Sequence, residues 1–206
     1  MKKIPTLFKR SFRDHKVCDI YNEVNDGLDW VLKGEGIATL KFDGSCTAVI
    51  NGIFYVRYDA KRGKKVPDNA IKCQEEADPV TGHLPCWVPA DRNNPAHKWY
   101  WNAYDNYLMH GYGIEDGTYE AIGPHFQGNP YNMADDDLVK HGSVVIDDFP
   151  RDFKGIHDYL ETHKIEGVVF WKDGEAKCKI KRSDFGFEWP TIIYEVNNND
   201  VSKRLQ

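Results

Sequence analysis

The chain has 206 residues, of which 41% are apolar, so it is long enough to bury a real hydrophobic core within one substantial domain. Its formal net charge of −5 excludes a uniformly basic nucleic-acid coat. A basic cleft on an acidic surface remains compatible with that charge, because a phosphate responds to the local field. We expect a single domain over 1–206, with a lead-in over 1–35, a core over 36–190 and a tail over 191–206.

The five cysteines are an odd number without a repeating framework, which predicts free thiols and a reducing, cytoplasmic compartment. No apolar stretch of signal-peptide length follows the first methionine. No window reaches the roughly 20 apolar residues of a membrane span. The sequence therefore predicts a cytoplasmic protein without a membrane segment.

The first informative stretch is a predicted hairpin. The apolar run Ile37–Leu40 ends in Lys41-Phe42-Asp43-Gly44, and Cys46–Ile50 leads away from it. Asn51-Gly52 then separates that run from Ile53–Tyr58. Asn-Gly between apolar runs is a strong hairpin signal, because both turn residues must accept positive φ. The lysine motif is thus predicted to lie at a strand end.

A basic run directly follows the hairpin and consists of Lys61, Arg62, Lys64 and Lys65. Such a run is either a solvated loop, as charge runs usually are, or a rim that contacts RNA phosphates. Residues 66–95 are rich in Pro, Asp and Asn, which predicts mostly loop.

The next element is a predicted helix over 96–109. The spacing of Trp101, Tyr104 and Leu108 indicates one helical face, which makes these aromatic rings core residues rather than a base-stacking platform. Further predicted elements, in chain order, are a strand over Tyr119–Ile122, a loop through 135–137, a strand over Val144–Ile146 and a helix over Phe153–His163.

A second hairpin is predicted from Val168–Trp171 through a turn at 172–175 to Ala176–Lys181. Strand alternation puts Lys179 and Lys181 on one face and Ile180 in the core. Because strands outnumber helices, the pattern predicts an α+β domain with antiparallel sheets around a cleft and helices outside.

Charged residues in the apolar runs indicate a chemistry. A lysine is a nucleophile only as the neutral amine, so Lys41 would need a pKa below the usual value of about 10.4. Lys179 and Lys181 can supply cations that lower it. Glu166, flanked by Gly167 and a strand, is the carboxylate that we expect to bind a metal ion. Glu120 is expected to accept a hydrogen bond from a ribose hydroxyl, as acidic residues do in other nucleotide-binding folds.

Four motifs occur in the order typical of a known superfamily: Lys41-Phe42-Asp43-Gly44, Tyr119–Gly123, Glu166–Phe170 and Lys179-Ile180-Lys181. Together they resemble the nucleotidyltransferase motifs of ATP-dependent nucleic-acid ligases and capping enzymes. The stretch 123–130 and the residues after Lys181 are similar to those of small RNA ligases related to the phage-type enzymes.

The resemblance implies an adenylation domain in which Lys41 takes AMP from ATP, passes it to an RNA 5′-phosphate and releases it when a 3′-hydroxyl attacks, with Mg²⁺ or Mn²⁺. The implied nucleotide-binding residues are Lys41, Asp43, Gly44, Arg57, Glu120, Glu166, Lys179 and Lys181. Lys61 and Arg62 compete with Arg57 for the role of the nucleotide-contacting arginine. The adenine-stacking aromatic is left open between Phe149, Phe153 and others.

Alternatives remain at this stage. Related capping enzymes and DNA ligases carry an OB-fold domain after the last lysine motif, and the short tail after Lys181 cannot form that five-stranded barrel. RNA sealing is therefore expected over DNA nick sealing, without an obligate protein partner. A non-catalytic ATP-binding or RNA-binding module stays open. A zinc site drawn from Cys73, His83, Cys86 and His97 lacks the usual paired C-x-x-C element.

Overall fold

A computed structural model describes residues 2–13, 16–79 and 81–190. Its strands, in chain order, are β1 (Phe8–Arg13), β2 (Lys16–Val24), β3 (Ile37–Lys41), β4 (Ser45–Ile50), β5 (Ile53–Ala60), β6 (Ile71–Lys72), β7 (Leu84–Pro89), β8 (Gly117–Ile122), β9 (Asp137–Lys140), β10 (Gly167–Lys172) and β11 (Glu175–Lys181). The α-helices are α1 (Lys98–Met109) and α2 (Phe153–Thr162). All strand pairings within the sheets are antiparallel, so the predicted α+β class with antiparallel sheets is confirmed.

The chain divides into two compact units. Of the described residues, unit one comprises 2–3 and Asp43–His141, and unit two comprises Ile4–Phe42 and 142–190. The predicted tail 191–206 lies outside the described residues. The single domain expected over 1–206 stays a prediction. Neither α-helix in the described residues has the length and apolar character to cross a membrane.

Unit one is built on a six-stranded sheet in the order β6-β7-β5-β4-β8-β9. The β4–β5 hairpin confirms the predicted turn, in which Asn51 and Gly52 both have positive φ. Helix α1 covers one face and confirms the predicted aromatic core: the rings of Trp101 and Tyr104 lie 5.1 and 4.7 Å from that of Phe54. Leu108, assigned to the same face, is instead exposed.

Two predictions about this unit were wrong in detail. The loop predicted over 66–95 contains β6 and β7, and β7 pairs along most of β5 and buries Cys86 and Trp87. The prolines near both ends of β7 led to the loop prediction, although proline is tolerated near the end of a strand and in strands at the edge of a sheet. The acidic run predicted as loop instead leads into β9, which begins at Asp137 and pairs with β8.

Unit two contains a three-stranded sheet in the order β11-β10-β3 and the β1–β2 hairpin. The hairpin between β10 and β11 and the helix α2 confirm their predictions. The predicted strand Val144–Ile146 is only an isolated bridge, between Val145 and Thr39. The expected lead-in over 1–35 contains β1 and β2, and its Leu7 and Phe8 are completely buried in the core of unit two.

The strands on either side of the lysine motif belong to different sheets. β3 pairs with β10, whereas β4 pairs with β5 and β8. The other edge of β3 is covered by irregular backbone: the Leu40 amide donates to the Val144 carbonyl, and the Ile146 amide donates to the Ala38 carbonyl, each at 2.9 Å. The predicted hairpin therefore begins at β4, and Lys41 ends an edge strand of another sheet.

Candidate active site

The predicted catalytic lysines meet around one buried carboxylate in unit two. Strand register places Gly167 of β10 opposite both Lys41 of β3 and Lys181 of β11. Glu166 immediately precedes this row. Residues paired directly across a sheet point to the same face, which brings the two amines to the same carboxylate although they lie far apart in the sequence.

Glu166 bridges the two lysines. The Lys41 Nζ atom donates to Glu166 Oε2 at 2.5 Å, and the Lys181 Nζ atom lies 2.7 Å from Oε1. The Glu166 side chain is only 4% exposed, whereas those of Lys41 and Lys181 are 20% and 34% exposed. One buried negative charge is thus compensated by two cations that retain access to solvent.

Lys179 is the amine whose pKa is most clearly perturbed. Burial, followed by the nearby charges of Lys41 and Lys181, lowers the pKa of Lys179 to about 8. Arg10 of β1 contributes further in the same direction. Ile180 between the two late lysines is completely buried, which confirms the predicted alternation.

Gly167 is required by the close approach of β10 and β11. A Cβ atom at Gly167 would lie 2.2 Å from the Ile180 carbonyl oxygen and 2.9 Å from the Lys181 Cα atom. These are backbone atoms, which cannot move aside without disturbing the strand pairing. The glycine after Glu166 therefore maintains the row that holds Lys41 and Lys181 at the carboxylate.

A second interaction fixes the backbone at Lys181. Asp184 accepts a hydrogen bond from the Lys181 amide at 2.8 Å and forms an ion pair with Arg10 at 2.5 Å. Its side chain is 2% exposed. Arg10 and Asp184 were not predicted as site residues, because no sequence signal connects the first strand to the end of the last one. Asp184 thus fixes the position of the end of β11.

Glu120 occupies a separate polar cluster in unit one. Its Oε1 atom accepts a hydrogen bond from the Gly44 amide at 3.1 Å, and its Oε2 atom lies 2.8 Å from His141 Nε2. The other ring nitrogen of His141 lies 2.9 Å from the Thr118 hydroxyl. His141 follows β9 directly, and the sequence alone did not identify it. The pairing of β9 with β8, missed in the sequence, brings it to Glu120.

Gly44 has a structural reason to be glycine. A Cβ atom there would lie 2.2 Å from the Ala121 carbonyl oxygen and 2.9 Å from the Glu120 Cγ atom. The backbone of the lysine motif therefore packs directly against β8. The Asp43 amide next to it donates to the Tyr131 hydroxyl at 2.5 Å.

The predicted nucleotide and RNA contacts outside these clusters also lie in unit one. The Arg57 Nε atom donates to Asp59 at 2.7 Å. Lys61, Arg62 and Lys64 line a pocket of about 420 Å³, whereas Lys65 forms an exposed ion pair with Asp68 at 2.8 Å. All of residues 61–65 are exposed and lie outside the strands and helices, which agrees with a solvated loop, and contact of the run with RNA stays a prediction.

Two other groups of candidates lie elsewhere. Phe149 and Phe153, considered for adenine stacking, pack in the core of unit two against other aromatic rings. The zinc grouping drawn from the sequence does not form within the described residues. Side chains that do come within metal-binding distance there are the set Cys46, Glu120 and His141 and the set His157, Asp158 and Glu161.

Comparisons with known proteins agree with the motifs. The family model of RNA ligase 1 matches residues 108–205, a range that includes Glu120, Glu166, Lys179 and Lys181. The chain is therefore similar to RNA ligases over this range. It is 27% identical to RNA ligase 1 of Danio rerio over 150 aligned positions, which cover 58% of this chain and 46% of that protein.

Two further relatives are also RNA ligase 1 proteins, at similar sequence identity. RNA ligase 1 of Pongo abelii is 25% identical over 169 aligned positions, covering 66% of this chain and 51% of that protein. RNA ligase 1 of Rattus norvegicus is 22% identical, covering 69% and 50%. The chain thus spans about half the length of these relatives.

Proposed function

We propose that this protein is an ATP-dependent RNA ligase with a nucleotidyltransferase adenylation fold, in which Lys41 carries AMP. The observation that carries the proposal is the bridge of Glu166 between Lys41 and Lys181, at 2.5 and 2.7 Å, beside the partly desolvated Lys179. Three lysines around one buried carboxylate, one of them with a clearly lowered pKa, are typical of a functional site rather than of a solvated surface. The RNA ligase relatives support the same reaction class.

The first step is attack of the neutral Lys41 amine on the α-phosphorus of ATP. A nitrogen–phosphorus bond forms, the bond to the bridging oxygen breaks, and pyrophosphate leaves. The ammonium must first lose a proton, and the Glu166 oxygen at 2.5 Å is within reach to accept it. Lys179 and Lys181 are positioned on one strand to neutralise the charge that builds on the phosphate oxygens.

The two later steps exchange the same AMP group. The RNA 5′-phosphate displaces Lys41 from the adenylyl phosphorus, which restores the free amine. An RNA 3′-hydroxyl then attacks the activated 5′-phosphate, a phosphodiester bond forms and AMP leaves. In each step one bond to phosphorus forms as another breaks. The same lysines can therefore stabilise the charge on the phosphate oxygens in all three reaction steps.

Glu166 also fits the expected metal ion. Magnesium binds through one or two carboxylates, waters and substrate phosphates, and Glu166 is a buried carboxylate with oxygens that each retain a lone pair. Mg²⁺ or Mn²⁺ would supply further neutralisation of the triphosphate. Lys41 and Lys181 would keep the carboxylate oriented towards it.

Further nucleotide contacts are assigned from the sequence motifs. Glu120 accepts a ribose hydroxyl, and His141 and the Gly44 amide hold its carboxylate in place. Asp43, Gly44 and Arg57 are assigned to the nucleotide. The basic run Lys61, Arg62, Lys64 and Lys65 is assigned to RNA phosphates, which its pocket supports. We place the protein in the cytoplasm, acting in RNA repair without an obligate protein partner.

The function is tested by sealing. Full-length protein with ATP and Mg²⁺ should join a 5′-phosphorylated RNA strand to a 3′-hydroxyl RNA end, read by denaturing electrophoresis. A 5′-phosphorylated DNA nick is the matched substrate control. Preferential sealing of the DNA nick would favour a DNA ligase, and ATP binding without adduct or product would favour a binding module.

Lys179 should make nucleotide binding depend on pH. Its pKa of about 8 means that it loses its charge as pH rises through that value, so affinity for a non-transferable ATP analogue should fall above pH 8. The expected loss is roughly 10- to 100-fold, since a hydrogen bond to a charged group contributes about 1.5–3 kcal/mol. Bound phosphate favours the protonated amine and should move the midpoint upward.

Calorimetric titration on both sides of pH 8 checks this dependence. Lys179→Arg keeps a permanent cation and should bind with an affinity that changes little with pH. Lys177→Arg, in the same strand and paired with the exposed Glu175, should retain the wild-type profile. Equal pH dependence in all three proteins would contradict the assignment of the phosphate-binding amine.

A further inference from the structure

Cys46, Glu120 and His141 form a cluster of mixed donor atoms in unit one. A ring nitrogen, a thiol sulfur and a carboxylate oxygen all lie within 4.8 Å of one another. Cys46 of β4 is paired directly with Glu120 of β8, and His141 immediately follows the neighbouring strand β9, where its amide donates to the Thr118 carbonyl at 3.0 Å. Because all three donors are tied to adjacent strands of one sheet by backbone hydrogen bonds, the sheet sets their separation.

The donor types select a particular class of metal ion. Thiolate and imidazole favour Zn²⁺ and chemically similar divalent ions over Mg²⁺ and Ca²⁺, and a carboxylate completes a common set of three protein ligands. Ligand atoms in tetrahedral zinc sites lie roughly 3.3–3.8 Å apart, as bond lengths of about 2.0–2.3 Å require. The observed spacing is close enough that small side-chain rotations achieve it.

Outer contacts orient two of the three donors. The Thr118 hydroxyl contacts His141 Nδ1 at 2.9 Å, which leaves Nε2 directed at Glu120. The Gly44 amide donates to Glu120 Oε1 at 3.1 Å and leaves Oε2 directed at His141. Hydrogen bonds of this kind to the far side of a ligand are a regular feature of metal sites.

We infer that Cys46, Glu120 and His141 form a binding site for a zinc-type divalent ion. The ion would replace the hydrogen bond between Glu120 and His141, and the Cys46 thiol would release its proton to solvent as the metal–sulfur bond forms. A fourth position remains for water. The site is distinct from the magnesium role assigned to Glu166, because its donors are softer.

Occupation of this site has a consequence that rests on the proposed function. Glu120 is the carboxylate assigned to the ribose, so a bound ion would withdraw it from the nucleotide. Zinc is then an inhibitor of adenylation, and ATP and zinc compete for one side chain.

Binding of Co²⁺ alone, as a spectroscopic substitute for zinc, tests the site in the full chain. A thiolate ligand produces a sulfur-to-cobalt charge-transfer band, which should appear with wild type and titrate to one equivalent. Cys46→Ser should abolish the band and weaken binding by more than about 100-fold, since losing an outer contact alone costs about 10- to 100-fold. His141→Ala should weaken binding similarly, and Cys73→Ser is the matched cysteine control.

Each outcome decides the proposal. A band retained in Cys46→Ser, or lost only in Cys73→Ser, overturns it, as does wild-type protein that binds no Co²⁺. Inhibition is measured separately, as the zinc concentration that halves each variant's own rate of AMP-adduct formation. If wild type forms no adduct, the proposed function fails while the cobalt band still decides the metal site.

Discussion

Lys41→Ala should abolish the covalent AMP adduct that wild-type protein forms with ATP and Mg²⁺. Loss of a nucleophile typically costs on the order of 10³-fold or more in rate. Lys179 is the neighbouring amine with a pKa of about 8, so it is the alternative nucleophile that would carry AMP if Lys41 did not. Intact mass followed by peptide mapping locates the AMP increment and distinguishes the two lysines.

The substitution should leave the fold in place. Lys181 still pairs with Glu166 at 2.7 Å when Lys41 is absent, so the buried carboxylate keeps a cation. Lys172→Ala is the matched control, since Lys172 lies at a strand end of the same sheet and pairs with Glu35 outside the lysine cluster. It should form the adduct at the wild-type rate. An adduct of normal yield on Lys41→Ala would refute the proposed nucleophile.

Glu166→Gln should lower the free energy of unfolding by about 2–4 kcal/mol and also abolish adduct formation. Removing the carboxylate leaves Lys41, Lys179 and Lys181 close together without the buried charge that compensates them. Breaking a buried ion pair costs about 3–5 kcal/mol, and the partial exposure of Lys41 and Lys181 reduces that figure. Urea denaturation measures the change.

Pyrophosphate provides a second measurement on the same variant. An anion bound by the three lysines replaces part of the lost negative charge, so it should stabilise Glu166→Gln more than wild type. Glu175→Gln, which breaks an exposed pair with Lys177 in the same sheet, should change stability by less than about 1 kcal/mol. Equal stability of Glu166→Gln and wild type would show that the carboxylate does not compensate the cluster.

Local patterns predicted much of the fold. Asn51-Gly52 and Asp173-Gly174 produced the expected hairpin turns, because tight turns require residues that accept positive φ. Helical spacing predicted α1 and α2, and alternation placed Ile180 in the core. The wrong predictions occurred where the local amino-acid composition did not reflect strand pairing. The prolines of β7 predicted a loop although this strand pairs with β5. The three apolar residues 144–146 predicted a strand although they form only one isolated bridge.

The amino-acid sequence by itself predicted one set of site residues, because their order and flanking apolar runs resemble known motifs: Lys41, Glu120, Glu166, Lys179 and Lys181. Their contacts depend on strand pairing over long distances along the chain. Lys41 meets Glu166 because β3 pairs with β10, and His141 meets Glu120 because β9 pairs with β8. Turn and periodicity signals act within a few residues, whereas the partner of a strand is chosen by burial of the whole sheet, so only the folded chain reveals the shared carboxylate, the lowered pKa of Lys179 and the cluster at Cys46.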